Sequence, residues 1–344
     1  MDKMFMRTAL HEAAKGVGLT SPNPPVGCVI SKDGIILGKG YHRKAGKPHA
    51  EREALAAVRN QFGDQAARLL RGATLYVTLE PCSTSGRTPP CTDGIIEAGI
   101  KRVVYAATDP NPHHQGEAAR LLHSNGIEVE TGVLENDALE QLRPFNKWVT
   151  TGIPWVIAKA AISLDGRITR PKGESQWLTG EKARADAQKL RLRSDAIIVG
   201  AGTVRADNPL LNLRGPGKKT GKDQPWRVVL TRSGQLPQDA HLFTDEHRNR
   251  TLVFKRRSLQ HVLKALGKKG VTTVMIEGGS SILTQAFSQN LVDEVCFYIA
   301  PFVSGSGIPV IDSAGFTGGS KSIHDLQMRK VGHDVRISGL MPRN

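Results

Sequence analysis

The sequence predicts a two-domain α/β protein, and three observations carry that expectation. Short apolar, β-branched runs alternate with stretches of helical periodicity, the pattern of strands and helices packed in layers. At 344 residues the chain is long enough for two cores. Charge is also divided: residues 1–150 hold 18 Lys plus Arg against 16 Asp plus Glu, and the remainder holds 29 against 16. Thr150-Thr151-Gly152-Ile153-Pro154 reads as a linker, which places the expected domains at 1–150 and 151–344.

Taken in order, residues 4–18 read as a helix ended by Gly16 and Gly18. The proline-rich loop Thr20-Ser21-Pro22-Asn23-Pro24-Pro25 follows and is held extended. Residues 27–30 and 35–40 read as a hairpin turning at Lys32-Asp33-Gly34. Residues 49–59 form the next helix, with His49 and Glu51 in its first turn. Strands are expected at 75–79 and 103–107, and helices at 93–98, 116–124 and 132–145. The second half adds strands at 155–159, 196–199, 227–230, 251–254, 273–276 and 294–299, with residues 214–225 as a mobile surface loop.

Chemistry concentrates in the first half. His49-Ala50-Glu51 and Pro81-Cys82-Ser83-Thr84-Ser85-Gly86-Arg87-Thr88-Pro89-Pro90-Cys91 supply one imidazole and two thiolates. Zinc takes such a set when it keeps its fourth position open for water, whose pKa it lowers to about 7. Glu51 is placed to carry a proton between that water and a leaving amine. His-x-Glu followed by Pro-Cys…Cys is the signature of zinc deaminases. The plainer alternative makes His49 a helix cap and the cysteines small core residues.

The long cysteine loop, with eight residues between Cys82 and Cys91, resembles the deaminase half of the bifunctional deaminase–reductase of bacterial riboflavin synthesis. The second half resembles the reductase part of the same family. The matching stretches are Lys159-Ala-Ala-Ile-Ser-Leu-Asp-Gly-Arg167, Gly173-Glu-Ser-Gln-Trp-Leu-Thr179, Gly200-Ala-Gly-Thr-Val-Arg-Ala-Asp-Asn-Pro-Leu210 and Glu277-Gly-Gly-Ser280. A dinucleotide fingerprint at Gly200 fails, because Arg205 stands where a third glycine is required.

The resemblance implies a cytidine-deaminase-like α/β/α sandwich followed by a dihydrofolate-reductase-like α/β domain. It implies zinc held by His49, Cys82 and Cys91, with Glu51 catalytic. Asn23, His42 and Arg87 fall on substrate-facing positions of the first half. Ala161, Trp177, Thr203, Asp207, Thr231 and the turn from Gly279 fall on positions that contact NADPH. Lys159, Ser175, Arg191, Leu211, Arg214 and Glu277 fall on substrate or active-site positions. The implied activity is hydrolytic deamination of 2,5-diamino-6-ribosylamino-4(3H)-pyrimidinone 5′-phosphate. NADPH-dependent reduction of the ribosyl chain to ribityl then gives 5-amino-6-(5-phosphoribitylamino)uracil. One departure is local: Thr84 stands where the family has histidine, exchanging an ionisable ring for a shorter hydroxyl.

Composition bounds the rest. The basic excess of the second half admits an RNA-editing deaminase with a basic RNA-binding domain. Aromatic content of 5% and the lack of a basic run interleaved with stacking residues argue against nucleic acid. A related enzyme acting on a modified pyrimidine is the other alternative, kept open by Thr84. No apolar run approaches membrane-span length, and no charged-then-apolar leader opens the chain. A cytoplasmic homo-oligomer (dimer or higher) without membrane or nucleic-acid partners is expected. Cys28 and Cys296, in apolar runs, are expected reduced and buried, and His113-His114 a solvated loop.

Overall fold

The computed structural model describes residues 1–84, 89–111, 116–174, 177–314, 316–317 and 319–342. Arg87, Ser175 and the His113-His114 pair lie outside the described residues. The chain divides into two compact units, Met1–Thr151 and Gly152–Asn344.

The first unit runs α1 (Asp2–Ala14), β1 (Gly27–Lys32), β2 (Ile35–Tyr41), α2 (Ala50–Phe62), α3 (Ala66–Leu70) and β3 (Thr74–Leu79), then α4 (Cys91–Glu97), β4 (Arg102–Ala107), α5 (Glu117–Ser124), β5 (Glu128–Thr131) and α6 (Glu135–Thr151). Among the described residues its strands form one sheet in the order β2-β1-β3-β4-β5. The β1–β2 and β1–β3 pairs are antiparallel, and β3, β4 and β5 are parallel. Strand residues alternate between two buried faces. Cys28, Ile30, Leu75, Val77, Val103 and Tyr105 pack with α2 and α4 residues such as Leu55, Val58 and Ile95. Val29, Tyr76, Val104 and Ala106 pack on the other face with Phe5, Met6 and Ala9 of α1 and Leu142 of α6. This is an α/β/α sandwich.

Two glycines explain how closely α2 rides on the hairpin. A Cβ at Gly38 would lie 2.6 Å from Val58 Cγ2, and one at Gly40 only 2.4 Å from the Ala54 nitrogen. The hairpin turns at Asp33 and Gly34, with φ of 51° and 79°, the left-handed pair that suits a two-residue turn.

The second unit runs β6 (Trp155–Ser163), α7 (Glu181–Arg193), β7 (Ala196–Gly200), α8 (Ala201–Asp207), β8 (Trp226–Thr231), α9 (His241–Thr244) and β9 (Thr251–Lys255), then α10 (Leu259–Lys268), β10 (Thr273–Glu277), α11 (Ser280–Ser288), β11 (Glu294–Ala300), β12 (His324–Val331) and β13 (Asp334–Leu340). Its sheet has the order β12-β13-β11-β6-β10-β7-β8-β9, parallel from β11 to β9. One face packs on α10 and α11 through Leu263, Leu266, Leu283 and Ala286. The other face packs on α7 through Ala183 and Leu190.

The structure differs from the sequence reading at several points. The first helix ends at Ala14, before the glycines. The helix expected to stop at Phe145 continues through Pro144 to Thr151, so residues 150–151 belong to it. The segment 214–225 is not a free loop. The Lys222 side chain is only 8% exposed, and its ammonium donates to the Leu192 and Ser194 carbonyls at 2.7 and 2.9 Å and meets Asp195 at 3.3 Å. Gln224 Oε1 accepts the Leu213 amide at 2.7 Å. Strands β5, β12 and β13 were absent from the sequence reading. Cys28 and Cys296 are buried free thiols.

Candidate metal and reductase sites

The cysteine loop leaves the carboxyl end of β3 and faces the N-terminus of α2. His49 is the N-cap of α2, with φ −74° and ψ 166°, so its ring turns off the helix toward the loop. Its Nδ1 lies 3.5 Å from Cys82 Sγ and 3.4 Å from Cys91 Sγ. All three ligand atoms lie within 4.8 Å of one another. A tetrahedral zinc with ordinary Zn–S and Zn–N bonds has S···N edges of about 3.5 Å, so the set fits that ion with one position left for water.

The loop is closed on itself. The Cys91 amide donates to the Cys82 carbonyl at 3.0 Å and to Cys82 Sγ at 3.3 Å, and the Thr92 hydroxyl also reaches that carbonyl. Contact with Cys91 and His49 holds the Cys82 thiol well below its ordinary range, although burial opposes it. The partner Cys91 thiol is pushed up, first by Cys82 and then by burial. Glu51, in the first turn of α2, is buried, and its Oε2 has no hydrogen-bond partner among the described residues. Burial, then the neighbouring Cys82, pushes its carboxyl up to about 7.

His42 and Asn23 line the same site. His42 Nδ1 donates to the Pro48 carbonyl at 3.0 Å, which leaves Nε2 to accept from the Asn23 amide at 3.1 Å. Burial lowers the His42 pKa, so the ring stays neutral and stands edge-on to His49, 5.3 Å between centroids. The sequence reading missed Glu80. This buried carboxylate, just before Pro81-Cys82, accepts backbone N–H groups of Asp109, Gly116 and Ala118 at 3.2 to 3.3 Å. A glutamate at the end of an apolar strand was the available signal.

In the second unit the parallel register sets Glu277 at the end of β10 beside Lys159 of β6. Glu277 accepts from Lys159 at 3.0 Å and from Arg191 of α7 at 3.1 and 2.8 Å. Burial alone would raise its carboxyl, but the Arg191 and Lys159 charges outweigh it and hold the group at about 2. Arg191 Nη1 also donates to the Asn212 carbonyl at 3.1 Å, next to Leu211, whose φ of 46° is left-handed. Arg214 is exposed and forms no side-chain hydrogen bond or ion pair among the described residues.

Gly278 and Gly279 have φ of 90° and 82°, and Gly279 caps the nine-residue α11. A Cβ on Gly279 would stand 3.6 Å from the Thr203 hydroxyl of α8, which brings those two positions together. Asp207 ends α8, Thr231 ends β8 and accepts the Gly234 amide at 3.0 Å, and Ala161 lies in β6. Trp177 is 53% exposed, with the Arg184 guanidinium 4.8 Å from its ring. No helix among the described residues is long and apolar enough to cross a membrane.

Comparison with known proteins follows this geometry. The family model for the cytidine and deoxycytidylate deaminase zinc-binding region matches residues 1–107, and that for the RibD C-terminal domain matches residues 154–340. The second match leaves no support for reading the basic second half as an RNA-binding domain. The riboflavin biosynthesis protein RibD of Haemophilus influenzae is 41% identical over 331 residues, covering 88% of this chain and 87% of its own. That of Aquifex aeolicus is 39% identical over 364 residues, 98% of each chain. Among solved structures, Acinetobacter baumannii RibD superposes with a TM-score of 0.88 at 35% identity, and a Thermotoga maritima diaminohydroxyphosphoribosylaminopyrimidine deaminase/5-amino-6-(5-phosphoribosylamino)uracil reductase with 0.85 at 34%, each covering 99% of both chains. With both halves matched in order and nearly the whole length covered, the chain belongs to the RibD family of riboflavin biosynthesis proteins.

Proposed function

We propose that residues 1–150 form a zinc-dependent pyrimidine deaminase and residues 151–344 an NADPH-dependent reductase, acting in turn on one phosphorylated pyrimidine. The substrate is 2,5-diamino-6-ribosylamino-4(3H)-pyrimidinone 5′-phosphate and the product 5-amino-6-(5-phosphoribitylamino)uracil. The observation that carries the reading is the pairing of three zinc-competent donors with a buried carboxylate oxygen that lacks a partner among the described residues.

His49, Cys82 and Cys91 would hold zinc, which would supply a water that ionises near neutral pH. Glu51 is placed to accept a proton at Oε2 and pass it to the leaving amine, a role suited to a carboxyl raised toward 7. The Asn23 amide and the neutral His42 ring orient the pyrimidine edge, and Arg87 is assigned to the same substrate. In the second unit the cofactor supplies the hydride, and the protein supplies alignment. Backbone N–H groups at the start of α11, opened by Gly278 and Gly279, suit the cofactor pyrophosphate. Thr203, Asp207, Thr231, Ala161 and Trp177 are assigned to the rest of NADPH. Lys159, Ser175, Arg191, Leu211, Arg214 and Glu277 are assigned to the substrate.

Assembly as a cytoplasmic homo-oligomer, dimer or higher, is part of the proposal. The edge strand β12 supports it, because it leaves Leu326 and Met328 exposed beside an open row of backbone groups. Sedimentation showing only monomer at micromolar concentration would remove that element.

The activity is tested by incubating the purified chain with the diaminopyrimidinone phosphate and NADPH. Equal yields of ammonia and NADP⁺, with the ribityl product identified by mass spectrometry, are expected. Ammonia without NADPH oxidation, or neither product, overturns the two-step assignment. Zinc is expected at one ion per chain and should be lost in a Cys82→Ala, Cys91→Ala double variant.

A further inference from the structure

The four deaminase residues come from two separate pieces of chain. His49 and Glu51 belong to the start of α2, whereas Cys82 follows β3 and Cys91 is the first residue of α4. The Cys91 and Thr92 amides donate to the Cys82 carbonyl, and the Cys91 amide also to Cys82 Sγ, which ties Cys82 to the first turn of α4. What fixes their distance from His49 and Glu51 is a different question.

Arg52, the residue after Glu51, answers it. Its Nη2 donates to the carbonyl of Pro90 at 2.8 Å, and Pro90 is the residue before Cys91 and the N-cap of α4. The guanidinium lies against the first turn of α4. A Cβ at Gly94 would stand 3.7 Å from Arg52 Cζ, in ordinary contact. Arg52 Nε is buried without a partner among the described residues. Among the described residues the Pro90 carbonyl is the guanidinium's hydrogen-bond acceptor, and that bond joins the first turn of α2 to the N-terminus of α4.

We infer that Arg52 is a positioning residue for the metal site, holding the Cys82–Cys91 loop at ligand distance from His49 and Glu51. The inference rests on the zinc reading of these residues. Outer partners that orient ligands typically change metal affinity by about 10- to 100-fold when removed.

The test uses the full-length chain and zinc itself. Arg52→Met keeps a long, helix-compatible stem and removes the donors. Its zinc Kd, from competition with a chromophoric chelator, is expected to rise at least about tenfold. Arg52→Lys keeps a donor near the carbonyl and is expected to stay within about threefold of the parent. The cobalt(II)-loaded Met variant should show altered ligand-field bands, and the Lys variant parental ones. A Met variant with parental affinity overturns the inference. So does a Lys variant as weak as the Met variant, which would assign the loss to packing of the guanidinium. A metal-free Met variant melting more than about 5 °C lower would make Arg52 a folding residue instead, again overturning it. If no parental chain binds zinc at all, the reading beneath the inference fails, and that result is distinct from each of these.

Discussion

Glu51 is a buried carboxylate and Glu277 a largely buried one, its side chain 15% exposed, and their surroundings drive them in opposite directions. Glu51 keeps one oxygen without a partner among the described residues, and burial beside Cys82 raises its carboxyl to about 7. Glu277 is ringed by Arg191 and Lys159, which hold it at about 2 in spite of burial. A carboxylate short of partners can exchange a proton near neutral pH, whereas one saturated by cations remains a fixed anion that organises its neighbours. The first unit therefore presents a group poised for chemistry. The second presents a preassembled charge cluster.

The largest expected effect breaks the first half of that contrast. Glu51→Gln keeps the shape but removes the proton acceptor, so deamination should fall by about 10²- to 10⁴-fold. Zinc content should not change, and reduction of the already deaminated intermediate should proceed at its parental rate. The two half-reactions, assayed separately, decide this. Equal loss of both would show that the units do not divide the work as proposed.

The second prediction breaks the other half. Glu277→Gln leaves Lys159 and Arg191 facing each other around a neutral amide, and losing one partner of a buried cluster costs about 3 kcal/mol or more. The second unit should unfold at lower temperature in calorimetry while the first keeps its transition. The parent should also show an acid dependence that the variant lacks. A carboxyl held at about 2 against an ordinary 4.5 stabilises the fold above pH 4.5, and this contribution disappears as pH falls toward 2. Identical acid profiles for parent and variant would mean that Glu277 is not the anion described.

A third prediction separates two arginines that share one assignment. Arg191 is committed to Glu277 and the Asn212 carbonyl, whereas Arg214 is exposed beside it. Both variants to alanine should raise KM for the phosphorylated substrate by roughly ten- to a hundredfold, the equivalent of one lost charged hydrogen bond of about 1.5–3 kcal/mol. Only Arg191→Ala should also lower the melting temperature, because it leaves Glu277 short of a partner. Equal KM penalties on a substrate analogue lacking the phosphate would remove the phosphate assignment from both arginines.

The same contrast explains what the sequence could show. The deaminase set was legible because its ligand types are chemically distinctive and come from two short motifs, His49-Ala50-Glu51 and Pro81 to Cys91. Parallel-sheet strands such as Ile197–Val199 and Val274–Ile276 announced themselves as apolar runs, buried on both faces. The hairpin β12–β13 did not, since β12 lies at an edge and is exposed along nearly its whole length, so its short alternation of Leu326 and Met328 marks no buried face. The pinning of 214–225 was hidden because it depends on Lys222, a residue that composition assigns to water until the Leu192 and Ser194 carbonyls are seen. Lys159, Arg191 and Glu277 are 118 and 86 positions apart in their pairings, so their cluster is a product of strand register and helix placement. Only the resemblance to a family could point to them beforehand.

The smallest expected effect concerns Thr84, where the first unit departs from its family. Thr84 is exposed two residues beyond Cys82, at the start of the segment that leads to Arg87. A threonine hydroxyl is short and never cationic near neutral pH, whereas an imidazole reaches further and offers a donor and an acceptor. If the substrate is the diaminopyrimidinone phosphate, Thr84→His restores one neutral hydrogen bond at the rim of the site. Such a bond contributes about 0.5–1.5 kcal/mol, which corresponds to a fall in KM for deamination of roughly two- to tenfold. Zinc content should stay unchanged, because the substituted side chain is not among the three ligands. The reductase step should be indifferent, since Thr84 lies in the other unit. Steady-state kinetics of ammonia release on parent and variant decides the point. A higher KM in the variant would show that threonine is matched to a different pyrimidine, and would move the natural substrate from the riboflavin intermediate to a relative of it.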